Sequence, residues 1–113
     1  MEEFMNIRKG DVVVVKFPFS DLTGHKKRPA IVVATLTGND IILAQITSIT
    51  RKDGYAITLN KSDFVNGELP YSSNLRPNEL FTADVSLISY KAGVLKRDKV
   101  KEVQDKLIKI FAK

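Results

Sequence analysis

Apolar residues in the first half of the chain fall in short runs rich in valine and isoleucine, cut apart by turn-forming clusters. Residues 11–17 (DVVVVKF) predict a buried strand, because a β-branched side chain loses little by being extended, and Pro18 ends it. Residues 18–27 (PFSDLTGHKK) read as a loop. Residues 28–34 (RPAIVVA) predict a second strand, with Pro29, which lacks an N–H, at its start or on an edge. The turn at 37–40 holds a Gly-Asn pair suited to a tight hairpin, and a third strand follows over 41–49 (IILAQITSI). Asp53-Gly54 signals another hairpin, and 55–59 (YAITL) alternates as a fourth strand.

Beyond residue 60 the pattern weakens. Residues 60–72 are polar, contain Gly67 and Pro70, and read as a long loop with a short helical turn at most. Extended character resumes over 73–80 and 81–90, where Pro77 forces a bend or an edge position, and Gly93 reads as punctuation. From Lys96 the period changes. Val100, Val103, Leu107, Ile110 and Phe111 recur at helical spacing on one face, and Lys99, Lys101, Glu102, Gln104, Asp105, Lys106 and Lys109 lie opposite. Five or six short strands joined by hairpins, then one amphipathic helix, predict a mainly β fold. The expected form is a small barrel or sandwich with the helix over an open end. With 113 residues and no linker or repeat, one domain over 1–113 is expected.

Charge and composition narrow the functional classes. Eighteen Lys and Arg against thirteen Asp and Glu give +5, which favours a polyanionic or acidic protein partner. The lack of cysteine excludes disulfides, thiolate chemistry and Cys-ligated zinc, and the single histidine, His25, excludes a His-rich metal site. No metal or cofactor is expected. No apolar run, Val12 to Val15 and Ala30 to Ala34 included, comes near the roughly 20 residues that span a bilayer. The N-terminus has no basic or apolar leader, so a cytoplasmic protein without membrane association is expected. No phosphate-loop, dinucleotide, zinc-protease or nucleophile-elbow motif is present.

The candidate chemistry lies in polar residues at strand starts and turns. His25-Lys26-Lys27-Arg28 is either a solvated loop or a phosphate-facing edge. In the second case Arg28, stiffened by Pro29, presents a planar fork to two phosphate oxygens while Lys26 and Lys27 add diffuse attraction. The hydroxyls of Thr47 and Ser48 either end a strand or donate to a nonbridging phosphate oxygen. Arg76, in the segment 73–78, is either paired with a nearby carboxylate or a second guanidinium beside the phosphate. His25 is a loop contact or a proton-transfer group. Lys26, Lys27, Arg51 and Lys52 flank this site and could track a nucleic-acid backbone. Phe17, Phe19 and Tyr55 are candidate stacking rings, with Phe17 read as core.

Five blocks of sequence carry a family resemblance. They are Arg8-Lys9-Gly10-Asp11-Val12-Val13, Lys27-Arg28-Pro29-Ala30-Ile31-Val32-Val33, Ala44-Gln45-Ile46-Thr47-Ser48, Leu69-Pro70 with Ser73-Asn74-Leu75-Arg76-Pro77-Asn78, and Ala92-Gly93-Val94-Leu95. In this order, over nearly the whole chain, they resemble the MazF/PemK family of ribonuclease toxins from toxin–antitoxin pairs. The resemblance implies an SH3-like barrel of the CcdB/PemK type with a C-terminal helix, a homodimer, and an acidic antitoxin partner. It also implies metal-independent cleavage of single-stranded RNA to 2′,3′-cyclic phosphate and 5′-hydroxyl ends. Arg28 and Thr47 take the positions of the catalytic pair. His25, Lys26, Lys27, Ser48, Arg51, Lys52, Arg76 and Asn78 are the expected RNA-binding residues. Asn78 stands where some members have an acidic residue proposed as the base. An amide cannot accept that proton, and His25 is the side chain that could take over part of the role. Two other readings stay open. One is a gyrase-binding toxin of the same fold, whose C-terminal ending Lys109 to Lys113 does not resemble. The other is a catalytically weak RNA- or antitoxin-binding module.

Overall fold

The computed structural model describes residues 6–17, 26–50 and 52–113. Seven strands make one antiparallel sheet: β1 (Asp11–Phe17), β2 (Lys26–Thr35), β3 (Asp40–Thr47), β4 (Ile57–Leu59), β5 (Phe64–Gly67), β6 (Ser73–Asp84) and β7 (Ile88–Leu95). Their order is β4-β6-β3-β2-β1-β7-β5, and one helix, α1 (Arg97–Phe111), follows. The two outermost strands, β4 and β5, are consecutive in sequence. Five Cα steps from Leu59 to Phe64 reach at most about 18 Å, whereas the edges of a flat seven-stranded sheet lie about 29 Å apart. The sheet is therefore curled into a half-barrel. The link itself is a 3₁₀ turn (Lys61–Asp63) closed by a capping box, in which the Asp63 carboxylate accepts the Asn60 N–H at 2.8 Å. Lys99 on α1 secures this seam, its Nζ lying 3.2 Å from the Thr58 carbonyl and 3.7 Å from Asp63.

Both faces of the central strands are covered. Val12, Ile31, Ala44, Ile46 and Leu75 face an inner cluster, against which Val103 of α1 is buried and Val100 and Leu107 pack. Val13, Val15, Ala30, Val32, Ile41 and Leu43 face a second cluster closed by Ala83, Ile88, Phe81, Val85 and Leu87. The unbroken VVVV run of β1 follows from this two-sided burial, because a strand covered on both faces has no polar alternation. Phe111 departs from the expected helix face and is 71% exposed. Eight residues beyond Val103 it has turned about 80° off the buried stripe, at the last position of the helix. No helix among the described residues is long and apolar enough to cross a membrane.

Several strand expectations are corrected. Residues 60–72 are not one loop but contain the 3₁₀ turn and β5. The expected division at 80/81 is absent: 73–84 is a single strand, β6, and the bend expected at Pro77 is a bulge within it. Its register against β3 skips from Gln45↔Arg76 to Ala44↔Leu80, so Pro77, Asn78 and Glu79 form a three-residue bulge. Pro29 lies inside β2, a central strand, at a point where β2 pairs with β1 (Val14↔Pro29) and its ladder to β3 has already ended. Gly93 is not punctuation. It lies within β7 opposite Gly67 of β5, where a Cβ on Gly93 would stand 2.5 Å from the Asn66 carbonyl and 2.7 Å from the Phe64 ring.

Candidate functional site

A concavity opens where the β2–β3 ladder ends. The pairs of this ladder run from Thr35↔Ile41 to Ala30↔Gln45 and then stop. Two residues further, the same register would set Arg28 opposite Thr47. There β2 pairs only with β1 (Val15↔Arg28), and β3 only with β6 (Thr47↔Asn74). The opening is a groove of about 410 Å³, with Val14, Pro29, Ile46, Leu69 and Pro70 as apolar lining. Lys27, Arg28, Thr47, Ser48 and Ser73 are its polar lining, and Ile49, Tyr71 and Tyr90 complete it. Among the described residues two cations and no carboxylate line it, so the site favours an anionic ligand in apolar surroundings, where charge–charge attraction is less screened than in bulk water.

Local hydrogen bonds fix the hydroxyl side of the groove. The Thr47 Oγ1 accepts the Ile49 N–H at 3.1 Å, and the Ile49 carbonyl accepts from the Asn74 side-chain amide at 3.4 Å. The Thr47 rotamer is thereby set, and its O–H hydrogen remains available for a ligand. Thr47 is half-buried, while Lys27, Arg28 and Ser48 are exposed.

Arg76 stands apart from the other expected site residues. It does not line the groove and is only 2% exposed. Its guanidinium donates to both carboxylate oxygens of Asp53, at 3.0 and 2.5 Å, and its Nε lies 3.5 Å from Glu79 without a hydrogen-bond partner. A carboxylate on the neighbouring turn has taken the fork that the sequence offered to a phosphate. The Arg76 hydrogen bonds, with the Tyr55 N–H behind them, hold the Asp53 carboxyl down at about 2. Asp53 in turn raises the Arg76 pKa, chiefly through the same hydrogen bonds. Lys106 of α1 donates to the Gly54 carbonyl at 3.0 Å, so the turn beyond Thr47 and Ser48 is anchored by both β6 and the helix.

Of the expected RNA-binding and catalytic residues, the groove brings together Lys27, Arg28, Thr47 and Ser48. Lys52 is exposed on the anchored turn outside the lining, and Asn78 is exposed in the β6 bulge, also outside it. His25, Arg51 and the Lys26 side chain lie outside the described residues, as do the Phe17 side chain and Phe19. Tyr55 is half-buried and away from the lining. The sequence reading missed Tyr71 and Tyr90. The available signal was a tyrosine directly after Leu69-Pro70 in an otherwise polar segment.

A curled antiparallel half-barrel with a helix across its inner face, and a groove with cationic side chains where two central strands part, defines the class of small β protein to which this chain belongs. Residues 8–111 match the model of the PemK-like, MazF-like toxins of type II toxin–antitoxin systems, and the chain belongs to that family. Solved structures agree in fold. An endoribonuclease in complex with its cognate antitoxin, from a mycobacterial species, superposes with a TM-score of 0.73 at 13% identity over 95% of this chain and 96% of that one. The MazE–MazF complex of Deinococcus radiodurans gives 0.72 at 20% identity over 92% and 94%. The Mycobacterium tuberculosis toxin MazF-mt6 gives 0.70 at 17% identity over 90% and 96%. A search of curated protein sequences finds no match.

Proposed function

We propose that this chain is a cytoplasmic endoribonuclease toxin that cuts single-stranded RNA, mRNA above all, in the groove between β2 and β3, and so inhibits growth. The observation that carries the reading is the presence of Arg28 and Thr47 on one groove, with Lys27 and Ser48 beside them. In the reaction the ribose 2′-hydroxyl gives up its proton to solvent, its oxygen attacks the adjacent phosphorus, and the bond to the 5′-oxygen breaks as that oxygen takes up a proton. The products are a 2′,3′-cyclic phosphate and a 5′-hydroxyl. Arg28 neutralises the charge that develops on the nonbridging oxygens and helps the leaving oxygen gain its proton, and the Thr47 hydroxyl donates to one nonbridging oxygen. Lys27 and Ser48 hold the flanking backbone. Because guanidinium and hydroxyl supply the charge stabilisation, the reaction is metal-independent. An antitoxin with an acidic segment would inhibit by occupying the same cationic groove, and the toxin would act as a homodimer.

Incubation of the purified protein with a long single-stranded RNA in excess chelator tests this reading. Fragments ending in 2′,3′-cyclic phosphate, released at a small set of sequences, are expected. Intact RNA, or fragments appearing only when a divalent cation is restored, would contradict it.

A further inference from the structure

Building on the groove as an RNA site, we infer that Tyr71 is a stacking platform for a nucleobase next to the scissile phosphate. Large apolar side chains are exposed at seven described positions, and three of them, Ile49, Tyr71 and Tyr90, line this one groove. Tyr71 is the most open of the seven at 72%. Its ring is open but its backbone is held. Pro70 precedes it and fixes its own φ, and the buried Ser73 hydroxyl donates to the Tyr71 carbonyl at 2.9 Å. An aromatic ring carried on a restrained backbone loses little freedom when a ligand covers it. Tyr71 also borders a second depression of about 190 Å³ that includes Asn60, Lys61 and Glu68. A strand lying on Arg28 can therefore continue past the ring into open space. Cations beside exposed aromatic rings are the combination that binds single strands, charge for the backbone and rings for the bases.

A short oligodeoxynucleotide, which lacks the attacking 2′-hydroxyl, serves as the probe, both intact and with one abasic position moved along it. The chain has three tyrosines and no tryptophan, so its intrinsic emission reports these rings directly. The intact probe is expected to quench the emission. Tyr71→Ala should bind it about 5- to 100-fold more weakly, and Tyr71→Phe within about twofold of the parent. One abasic position should weaken binding to the parent by a similar factor and leave binding to Tyr71→Ala nearly unchanged. Circular dichroism checks that the exposed truncation leaves the fold intact. The inference is overturned if Tyr71→Ala binds like the parent, if every abasic position weakens both proteins equally, or if Tyr71→Phe is as weak as Tyr71→Ala. Quenching by an acidic peptide and not by the oligonucleotide would also overturn it. Failure of the two readings looks different. Stacking without RNA cleavage keeps the platform and removes the nuclease, whereas cleavage with KM unchanged in Tyr71→Ala does the reverse.

Discussion

Arg28-Pro29 and Arg76-Pro77 are the same dipeptide in two strands of one sheet, yet the first arginine is exposed on the groove and the second is buried. Proline stiffens both backbones alike, so the surroundings decide. Arg28 stands where a ladder has ended, and Arg76 meets Asp53 across a sequence gap of 23 residues. That pair is a stability device with a defined pH dependence. The folded-state pKa of Asp53 is lowered from 3.8 to about 2, so its contribution is complete above pH 4 and is lost as pH falls toward 2. Asp53→Asn should lower the thermal midpoint at neutral pH. The gap to the parent should be constant above about pH 5, narrow below pH 4 and close near pH 2. Thermal melts of both proteins across that range check this, and a gap independent of pH would refute the assignment. Pairing with a carboxylate was one of the two readings that the residues around Arg76 allowed. Its partner was not legible, because Asp53 reaches Arg76 only when the β3–β4 turn folds back against β6.

At the scale of elements, the barrel depends on two short edge strands being brought together. β5 approaches β7 so closely at Gly67 and Gly93 that neither position has room for a side chain. Gly93→Ala should cost about 1–3 kcal/mol, because the new methyl must push the Asn66 carbonyl and the Phe64 ring away. Urea unfolding should show an earlier midpoint, whereas Gly38→Ala, which meets open space, loses only what its left-handed turn backbone requires. An unchanged midpoint for Gly93→Ala would mean that the β5–β7 approach contributes nothing to stability. Strands with buried faces, such as β1 and β3, were legible from their apolar runs. β5 was not, since four residues at an edge with one buried side chain leave no periodic signal. The expected segments 73–80 and 81–90 divide β6 between Leu80 and Phe81, and the bulge that absorbs Pro77 within one strand leaves no signal in sequence alone.

For the whole molecule, a net charge of +5 matters through its placement, with Lys27 and Arg28 on a groove whose described lining holds no carboxylate. The cationic character and the Arg28 and Thr47 positions were legible from charge and from the family's sequence blocks. The apolar lining was not, since it is assembled from β1, β2, β3, β7 and the 69–71 segment only after the sheet curls. The proposed reaction turns on a guanidinium and a hydroxyl acting on one phosphate. Its most direct test is single-turnover RNA cleavage by the parent, Arg28→Ala, Thr47→Val and the double variant. Each single change is predicted to slow cleavage by about 10²- to 10³-fold, and the double variant by less than the product of the two, as expected for residues that act as a unit. Cleavage by Arg28→Ala at the parental rate would contradict the account.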